Sequence, residues 1–297
     1  MHFEFHWSER KTSTMKLNTY ELGLGGGSIL QLASLKNSIR MSYFIETPEG
    51  KIIIVDGGYD PIAEAQQLYD LIMAKGGRVD LWILSHAHSD HLGSLTILLE
   101  TVPDFAKRID KLCFNFPATE WMAGKEDWPF NDRFLKMMDV CKPNIITPNA
   151  GDILECGGVT VEILNVPKDY ENYPSINPTS MMFVMRFPAQ DVLFMGDFDV
   201  HGQAEFLQKY DASKLRCDIV QMAHHGQAGT DRSFYELIQP KYCLYNAPDW
   251  LYENFDRGSD NPVPGTGPYT TLETRQWMEE MGAIKDFTFV EGDWLFT

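Results

Sequence analysis

The sequence predicts an α/β fold in which β-sheets are covered by helices. β-rich runs occur along both halves of the 297-residue chain, and helical stretches interrupt them without the strict alternation of a parallel α/β fold. A content of 44 % hydrophobic and 12 % aromatic residues is enough for a large core and excludes disorder over most of the chain. Because no composition break or internal repeat is present, we expect one domain over residues 1–297.

In the first half, strands are predicted where a short β-rich run ends at Gly, Pro, Asn or Ser. These runs are 42–46, 52–56, 79–85, 111–114, 145–147, 152–155 and 159–164. Helices are predicted where apolar residues recur at helical spacing, over 61–75, 92–101 and within 130–141. The first helix opens at Pro61 and stops at Gly76, residue types typical of those positions.

In the second half, the runs 181–187 and 192–195 flank a short Pro-Ala-Gln-Asp segment, which predicts a β-hairpin. The remaining predicted strands are 217–222, 242–245, 285–290 and 294–296, and the predicted helices are 200–210, 232–238 and 271–281. Residues 247–269 are rich in Pro, Gly and Asp and form an unusually long connection. Their aromatic content favours a packed, lid-like loop over a disordered one.

The charge balance limits the classes of partner. The chain carries 25 Lys and Arg against 42 Asp and Glu, a formal charge of −17, which disfavours long nucleic acids and anionic membranes. No run of about 18 apolar residues is present, and the start of the chain lacks the basic and apolar regions of a signal peptide. The five cysteines are scattered, and an odd number cannot all pair within one chain. We therefore expect a cytoplasmic protein with reduced thiols.

The strongest signal is a cluster of histidines directly after the apolar run 81–84. His86 and His88 can share one face of an extended segment, because side chains two residues apart point the same way. Asp90 and His91 directly precede the next predicted helix, at 92–101, and approach the same point from another direction. Imidazole with carboxylate suits zinc, manganese or iron, and the four side chains could be shared between two ions.

A carboxylate is the usual protein group that bridges two cations. Asp197 is the candidate, because it follows an apolar run and Gly196 at a strand end. The alternative is that Asp197 only caps the helix that starts near Val200. Asp199 lies close behind and is expected to support the ligands or to lie at the surface.

Three further residues complete the candidate site. His224 and His225 end a predicted strand, where consecutive side chains point in opposite directions, so one imidazole is expected to bind metal. The other could donate a proton or bind the substrate. Asp56 ends an earlier strand and could accept a hydrogen bond from a ligating histidine, with an ordinary turn aspartate as the alternative.

These motifs together resemble the metallo-β-lactamase superfamily. The resemblance rests on a Val-Asp-Gly-Gly turn at 55–58, the His-x-His-x-Asp-His motif at 86–91, Gly-Asp at 196–197 and His-His-Gly at 224–226. It spans most of the chain and implies a four-layer αββα sandwich with the site at one edge. The Asn-Pro-Thr-Ser run at 177–180 and the closing helix and strands narrow it to the branch of the DNA-uptake competence hydrolase domain and the teichoic-acid phosphorylcholine esterase.

The resemblance implies a role for each motif residue. One or two divalent ions are implied, with zinc ahead of manganese or iron. The implied roles are His86 and His88 on the first ion, Asp90 and His91 on the second, Asp197 as the bridge, His225 completing the second site and His224 facing the leaving group. The chain departs from the family pattern in one respect, because no histidine lies between His91 and His201 to complete the first site.

The expected activity is metal-dependent hydrolysis of a small phosphodiester or related ester by a metal-activated water. Asp90 would accept a proton from that water and His224 would protonate the leaving group. Asn177 and Ser180 would contact the substrate or simply cap a loop. Trp250 and Tyr252 could bind a cationic group such as choline, or pack in the core.

Two alternatives stay open: a lactone, β-lactam or thioester hydrolase on the same metals, and a metal-binding module without catalysis. A nuclease is less favoured, because a polymeric substrate wants a track of basic side chains and the sequence has none. The expected partner is a small-molecule substrate, with no membrane, and the oligomeric state is left open.

Overall fold

The computed structural model describes residues 16–59, 62–166 and 168–297. The predictions made on the start of the chain and on Pro61 as a helix start therefore lie outside the described residues. Within those ranges, no helix is long and apolar enough to cross a membrane.

The first sheet joins strands from both ends of the chain. Its strands within the described residues are β1 (Leu17–Tyr20), β2 (Ser28–Gln31), β3 (Ser42–Glu46), β4 (Ile52–Asp56), β5 (Leu81–Ile83), β6 (Leu112–Cys113), β7 (Ile145–Ile146) and β15 (Asp293–Phe296). Their order across the sheet is β1-β15-β2-β3-β4-β5-β6-β7. Strands β2 to β4 pair antiparallel, whereas β4 to β7 run parallel.

The second sheet is also mixed. Its strands within the described residues are β8 (Ile153–Cys156), β9 (Val159–Ile163), β10 (Phe183–Arg186), β11 (Asp191–Phe194), β12 (Ile219–Gln221), β13 (Tyr242–Tyr245) and β14 (Lys285–Thr288). Their order is β14-β13-β12-β11-β10-β9-β8. The predicted hairpin is present as β10 and β11, and β11 to β14 run parallel.

Helices cover the outer face of each sheet. Those in the described residues are α1 (Ile62–Ala74), α2 (Ser89–Thr101), α3 (Thr119–Met122), α4 (Trp128–Cys141), α5 (Val200–Lys209), α6 (Arg232–Ile238), α7 (Asp249–Tyr252) and α8 (Thr271–Glu280). Apolar residues of α1, α2 and α4 form one core cluster with the first sheet, and those of α5, α6 and α8 form another with the second. A third cluster fills the space between the sheets. The predicted four-layer αββα sandwich is confirmed.

Strand β4 shows how the sequence specifies a sheet that is covered on both faces. All five of its residues are buried. Ile53 and Val55 join the cluster between the sheets, whereas Ile52 and Ile54 join the cluster under the helices. Because both faces meet apolar neighbours, the strand is a continuous apolar run rather than an alternating one.

The elements that differ from prediction are short. Strands β1 and β2 and helices α3 and α7 were not predicted, since each has only four residues and β1 has an exposed leucine at its start. Strand β5 is also shorter than the predicted 79–85. Helix α2 begins at Ser89 rather than residue 92, so Asp90 and His91 lie in its first turn.

Candidate metal centre

Four strand ends meet at one edge of the sandwich and carry the candidate ligands. Strand β4 ends at Asp56, and the chain leaving β5 carries His86. Asp197 follows β11, and His224 and His225 follow β12. Because β4 and β5 are parallel, as are β11 and β12, their carboxyl ends deliver these side chains to the same edge.

The histidine motif forms one side of the cluster. His86 and His91 are fully buried, and His86 Nε2 lies 3.0 Å from His88 Nδ1. Asp90 Oδ2 lies 3.6 Å from His91 Nε2 across the first turn of α2. The motif thus folds back on itself, as its spacing predicts.

Asp197 lies at the centre of the cluster. Its Oδ1 is 3.1 Å from His91 Nε2, and its Oδ2 is 3.8 Å from His86 Nε2 and 3.5 Å from His225 Nε2. Asp197 therefore faces both halves of the site. The helix-cap alternative does not describe it, because the cap of α5 is Asp199.

His224 and His225 lie beside the cluster. The prediction that they end a strand, with side chains that alternate for that reason, is wrong. Strand β12 ends at Gln221, and both histidines lie in a tight turn with φ of 50° and 59°, in the left-handed region. His225 Nε2 approaches Asp90 Oδ2 at 2.9 Å. His224 Nε2 stays 3.8 Å from Asp197 Oδ2 and 3.3 Å from Asn177 Nδ2.

Two overlapping sets of side chains have the arrangement of metal ligands. One contains Asp90, His91, Asp197 and His225, and the other contains His86, His88 and Asp197; the ligand atoms of each set lie within 4.8 Å of one another. Asp197 belongs to both sets. His224 belongs to neither.

The donor atoms of the first set fit a cation. Asp90 Oδ2, His91 Nε2, Asp197 Oδ1 and His225 Nε2 are buried, and none has a hydrogen-bond partner of acceptable geometry among the described residues. Buried polar atoms are normally hydrogen-bonded. Two carboxylate oxygens and two ring nitrogens that lack such partners and lie close together therefore indicate a binding site for a ligand. Carboxylate and imidazole are the donors that zinc, manganese and iron accept.

The electrostatics of the cluster also favour positive charge. Although burial opposes protonation, Asp197 and Asp90 raise the pKa of His225 to about 10, and Asp197, Asp90 and Asp56 raise that of His91. Although burial opposes ionisation, His225 and His91 hold the pKa of Asp197 well below its usual range. The carboxylates thus remain ionised and stabilise positive charge between them.

Asp56 and Ser85 form a support beneath the ligands. Asp56 Oδ1 accepts from the Ser85 backbone N–H at 2.7 Å, and its Oδ2 accepts from Ser85 Oγ and from His91 Nδ1, both at 2.9 Å. A histidine that donates from Nδ1 presents Nε2 to a metal with its tautomer fixed. Asp56 therefore contacts His91, a candidate ligand, in addition to ending strand β4.

Glycine is required where the Asp197 strand end passes Ser85. Gly196 has φ of +55°, and a Cβ there would lie 2.8 Å from Ser85 Cβ and 3.1 Å from Ser180 Oγ. Any side chain would push the two ligand-bearing loops apart.

Three supporting residues were missed by sequence reasoning. Glu126 Oε1 lies 3.1 Å from His88 Nε2 and accepts from the Ile176 N–H at 2.7 Å. Gln221 Oε1 accepts hydrogen bonds from the Met195 and Gly196 backbone N–H groups, directly after β11. The Asn246 carbonyl lies 3.0 Å from His225 Nδ1. Only Gln221 carried a signal, as a polar residue in an apolar strand. Glu126 and Asn246 are distant in sequence from the histidines they contact.

The remaining predicted residues have distinct positions. Ser180 Oγ accepts from the Asp197 backbone N–H at 3.0 Å, so it orients the bridging candidate. Asn177 contacts His224 through Nδ2, and its Oδ1 is buried without a partner among the described residues. Asp199 lies outside the two ligand sets and caps α5 by accepting from the His201 and Gly202 backbone N–H groups.

A cavity of about 460 Å³ opens beside the cluster. Its lining includes His88, Asp90, Asp197 and His224, together with Trp250 and Arg257 from the 247–269 segment. That segment contains α7 and internal hydrogen bonds, such as Gly265 N–H to the Glu253 carbonyl at 2.9 Å.

The two aromatic rings suggested for a cationic ligand already contact arginines. Arg257 lies over the Trp250 ring at 4.3 Å, and Arg275 lies over the Tyr252 ring at 3.8 Å. Tyr252 is also largely buried. The arrangement does not favour choline at these rings, because a second cation would be repelled by the first.

The comparisons with known proteins agree with this geometry. A family profile described as the metallo-beta-lactamase superfamily matches residues 37–241, which is more than half of the chain. ComE operon protein 3 of Bacillus subtilis is 24% identical over an alignment of 223 positions, which covers 69% of this chain and 27% of that protein. The chain thus spans about a quarter of the length of this relative.

Two solved structures share the fold. YhfI, a metallo-beta-lactamase fold protein from Bacillus subtilis, has a TM-score of 0.54 at 12% identity, covering 91% of this chain and 99% of its own. A variant of the CmlA beta-hydroxylase from Streptomyces venezuelae has the same TM-score and identity, covering 91% of this chain and 53% of its own.

Proposed function

The chain belongs to the metallo-beta-lactamase superfamily, and we propose that its metal-dependent hydrolase site acts on a small phosphodiester or a related ester. The observation that carries this proposal is the shared position of Asp197 in two adjacent ligand sets. Two cations held by a common carboxylate can neutralise the charge that develops on both the attacking and the leaving oxygen of a phosphoryl ester.

The residues that would hold the ions divide as the two sets do. His86, His88 and Asp197 would bind one ion, and Asp90, His91, Asp197 and His225 the other, with zinc proposed for both. When bound, such ions lower the pKa of a coordinated water and polarise the ester oxygens. Asp56 and Glu126 would orient His91 and His88 from behind.

Two side chains would move protons in the reaction. Asp90, in the first turn of α2, would accept a proton from the attacking water through its carboxylate. His224 Nε2 would donate a proton to the leaving oxygen. His224 suits this role because it faces Asp197 and the cavity, yet lies outside both ligand sets.

The size and charge of the site support a small substrate over a polymer. The cavity is about 460 Å³, which suits a small molecule. Its lining includes the carboxylates of Asp90, Glu126, Asp127 and Asp197, and the chain as a whole carries −17. A long polyanion would meet a net repulsion beyond the metal site. We propose a small-molecule enzyme on this basis.

The test combines metal analysis with a panel of substrates. Protein purified without added metal is analysed for bound ions and assayed on bis-nitrophenyl phosphate, nitrophenyl phosphorylcholine, a lactone and a chromogenic β-lactam. The proposal expects turnover of a phosphodiester, and loss of both metal and turnover in Asp197→Ala. Asp104→Ala, an exposed carboxylate beyond the far end of α2, serves as the matched control and should behave as the wild type.

The other outcomes are equally informative. Turnover of only the lactone or the β-lactam would overturn the substrate class. Stoichiometric metal with no turnover across the panel would indicate a binding module instead. Full activity in Asp197→Ala would reject the assignment of the bridge.

A further inference from the structure

Among the described residues that line the cavity, one cationic side chain lies outside the two ligand sets. Of the charged side chains that line the cavity, Asp90, Asp127 and Asp197 are acidic, as is Glu126, whereas Arg257 is basic. Arg257 lies in the 247–269 segment, which comes from a different part of the chain than the ligand loops. A substrate that reaches the ligands therefore shares the cavity with this guanidinium.

Arg257 is held by stacking rather than by an ion pair. Its guanidinium carbon lies 4.3 Å from the centre of the Trp250 ring. The indole is itself fixed, because Trp250 Nε1 donates to the Asn37 carbonyl at 2.9 Å and the ring packs against Tyr269 at 5.2 Å. A guanidinium stacked on a fixed ring has a defined plane, and its N–H groups point away along the edges.

Among the residues that the structure describes, none provides an acceptor for those N–H groups. Within the described residues, Arg257 makes no hydrogen bond and no ion pair. Arg275 provides the contrast: it stacks on Tyr252 at 3.8 Å, but it also donates to the Tyr252 carbonyl at 3.1 Å and lies 3.6 Å from Glu253 Oε1. Arg275 is satisfied by the fold, whereas Arg257 keeps its donor edge available.

We propose that Arg257 binds a second anionic group of the substrate, an oxyanion distinct from the ester that reacts. The inference rests on the proposed hydrolase function and narrows its substrate to a small ester with a phosphate or carboxylate arm. A guanidinium offers paired donors that match either oxyanion, and it is the residue type suited to such recognition. In a cavity of acidic side chains, this is the group that can discriminate a charged arm from a neutral one.

Equilibrium binding tests the proposal without requiring turnover. The probes are three non-hydrolysable ester analogues, phosphinates in which carbon replaces both bridging oxygens, whose second arm ends in a phosphate, a carboxylate or a neutral carboxamide. They are titrated calorimetrically into metal-loaded protein. The wild type should bind one charged-arm ester at least about tenfold more tightly than the carboxamide ester. Which arm is preferred distinguishes a phosphorylated substrate from a carboxylated one.

Variants assign the preference to the side chain. Arg257→Gln should abolish the preference, and Arg257→Lys should retain part of it, since charge remains but the paired donors are lost. Arg216→Gln is the matched control, because Arg216 is exposed and lines a separate cavity with Asp218 and Glu236. A wild type that binds all three esters equally, or an Arg257→Gln variant that keeps the preference, would overturn the inference.

Kinetics then separate this inference from the hydrolase proposal. With matched nitrophenyl phosphodiesters that carry the same arms, Arg257→Gln should raise KM about tenfold for the charged arm and leave kcat unchanged. If no ester is turned over but Arg257→Gln still abolishes the binding preference, the anion site stands and the hydrolase proposal fails. If turnover is normal and no binding preference exists, the hydrolase proposal stands and the anion site at Arg257 fails.

Discussion

Gln221 holds Gly196 from both sides: its Oε1 accepts from the Gly196 N–H at 2.7 Å, and its Nε2 donates to the Gly196 carbonyl at 3.0 Å. The same oxygen accepts from the Met195 N–H, and the same nitrogen donates to the Met222 carbonyl. One buried amide therefore joins the ends of β11 and β12. The residues that follow these ends are Asp197 and the histidine pair, so their relative position depends on Gln221.

We expect Gln221→Glu to weaken metal binding by about 10–100-fold, the usual cost of removing a group that supports ligands. The variant keeps the acceptor oxygen but loses both donated hydrogen bonds and adds a buried charge. Competition with a chelator measures the affinity, and thermal unfolding of the metal-free protein checks that the fold persists. The control is Gln276→Glu, an exposed position on α8. Unchanged affinity in a folded Gln221→Glu variant would contradict this role.

Asp56 supports the ligands from the first sheet, and we expect Asp56→Asn to lower metal affinity by a similar factor of about 10–100. An amide can donate to His91 Nδ1 and so favour the wrong tautomer of the ring. Metal content after dialysis and chelator competition give the measurement. Asp70→Asn on the exposed face of α1 should match the wild type. If Asp56→Asn retained its ions as tightly as the wild type, Asp56 would be a turn residue only.

His224 is expected to act on the leaving group, so its loss should be felt most with poor leaving groups. For His224→Gln, we expect kcat to fall about 10²–10⁴-fold on an alkyl phosphodiester and much less on a nitrophenyl one, whose leaving group needs no proton. Metal content should be unchanged. His201→Gln, at an exposed histidine in the first turn of α5, is the control. Equal losses on both substrates would argue against proton donation.

Asp199 is assigned to helix capping, and we expect Asp199→Ala to lower the free energy of unfolding by about 0.5–2 kcal/mol without loss of metal. The carboxylate satisfies two backbone N–H groups at the start of α5. Urea denaturation measures the cost. Asp231→Ala removes the equivalent cap of α6 and should cost a similar amount. Loss of metal at unchanged stability would instead show that Asp199 supports the metal ligands.

The apolar patterns of the sequence predict the positions of most helices and strands, whereas the four-layer arrangement is implied by the resemblance to the family. Strand β4 and helix α6 have the predicted bounds. The missed elements have only four residues each, and some of them also depend on partners distant in the chain. Strand β1, for example, pairs with β15 at the opposite end of the described chain, and no local pattern reports such a pairing.

The site follows the same division. The candidate ligands can be recognised from their residue types and close spacing, as in the case of His86 and His88. Supporting groups such as Glu126 can be recognised only from contacts in the folded structure, since Glu126 and His88 are 38 residues apart in the chain. The turn at His224 shows a further limit, because backbone in the left-handed region with two consecutive non-glycine residues is set by tertiary packing rather than by propensity.

The cysteines provide a test of the core that is independent of the metal site. Four are buried and Cys141 is partly exposed, and none forms a disulfide. Burial raises the pKa of Cys113 and Cys217 to about 12 and that of Cys156 to about 11. A raised pKa leaves little thiolate at pH 8, and the thiolate is the reactive form.

We expect one fast reaction with a thiol reagent, at Cys141, followed by four slow ones limited by opening of the core. Cys141→Ser should remove the fast phase, and urea should make all the remaining thiols react at once. Rapid reaction of several thiols in the native wild type would show that the core is more open than the structure indicates.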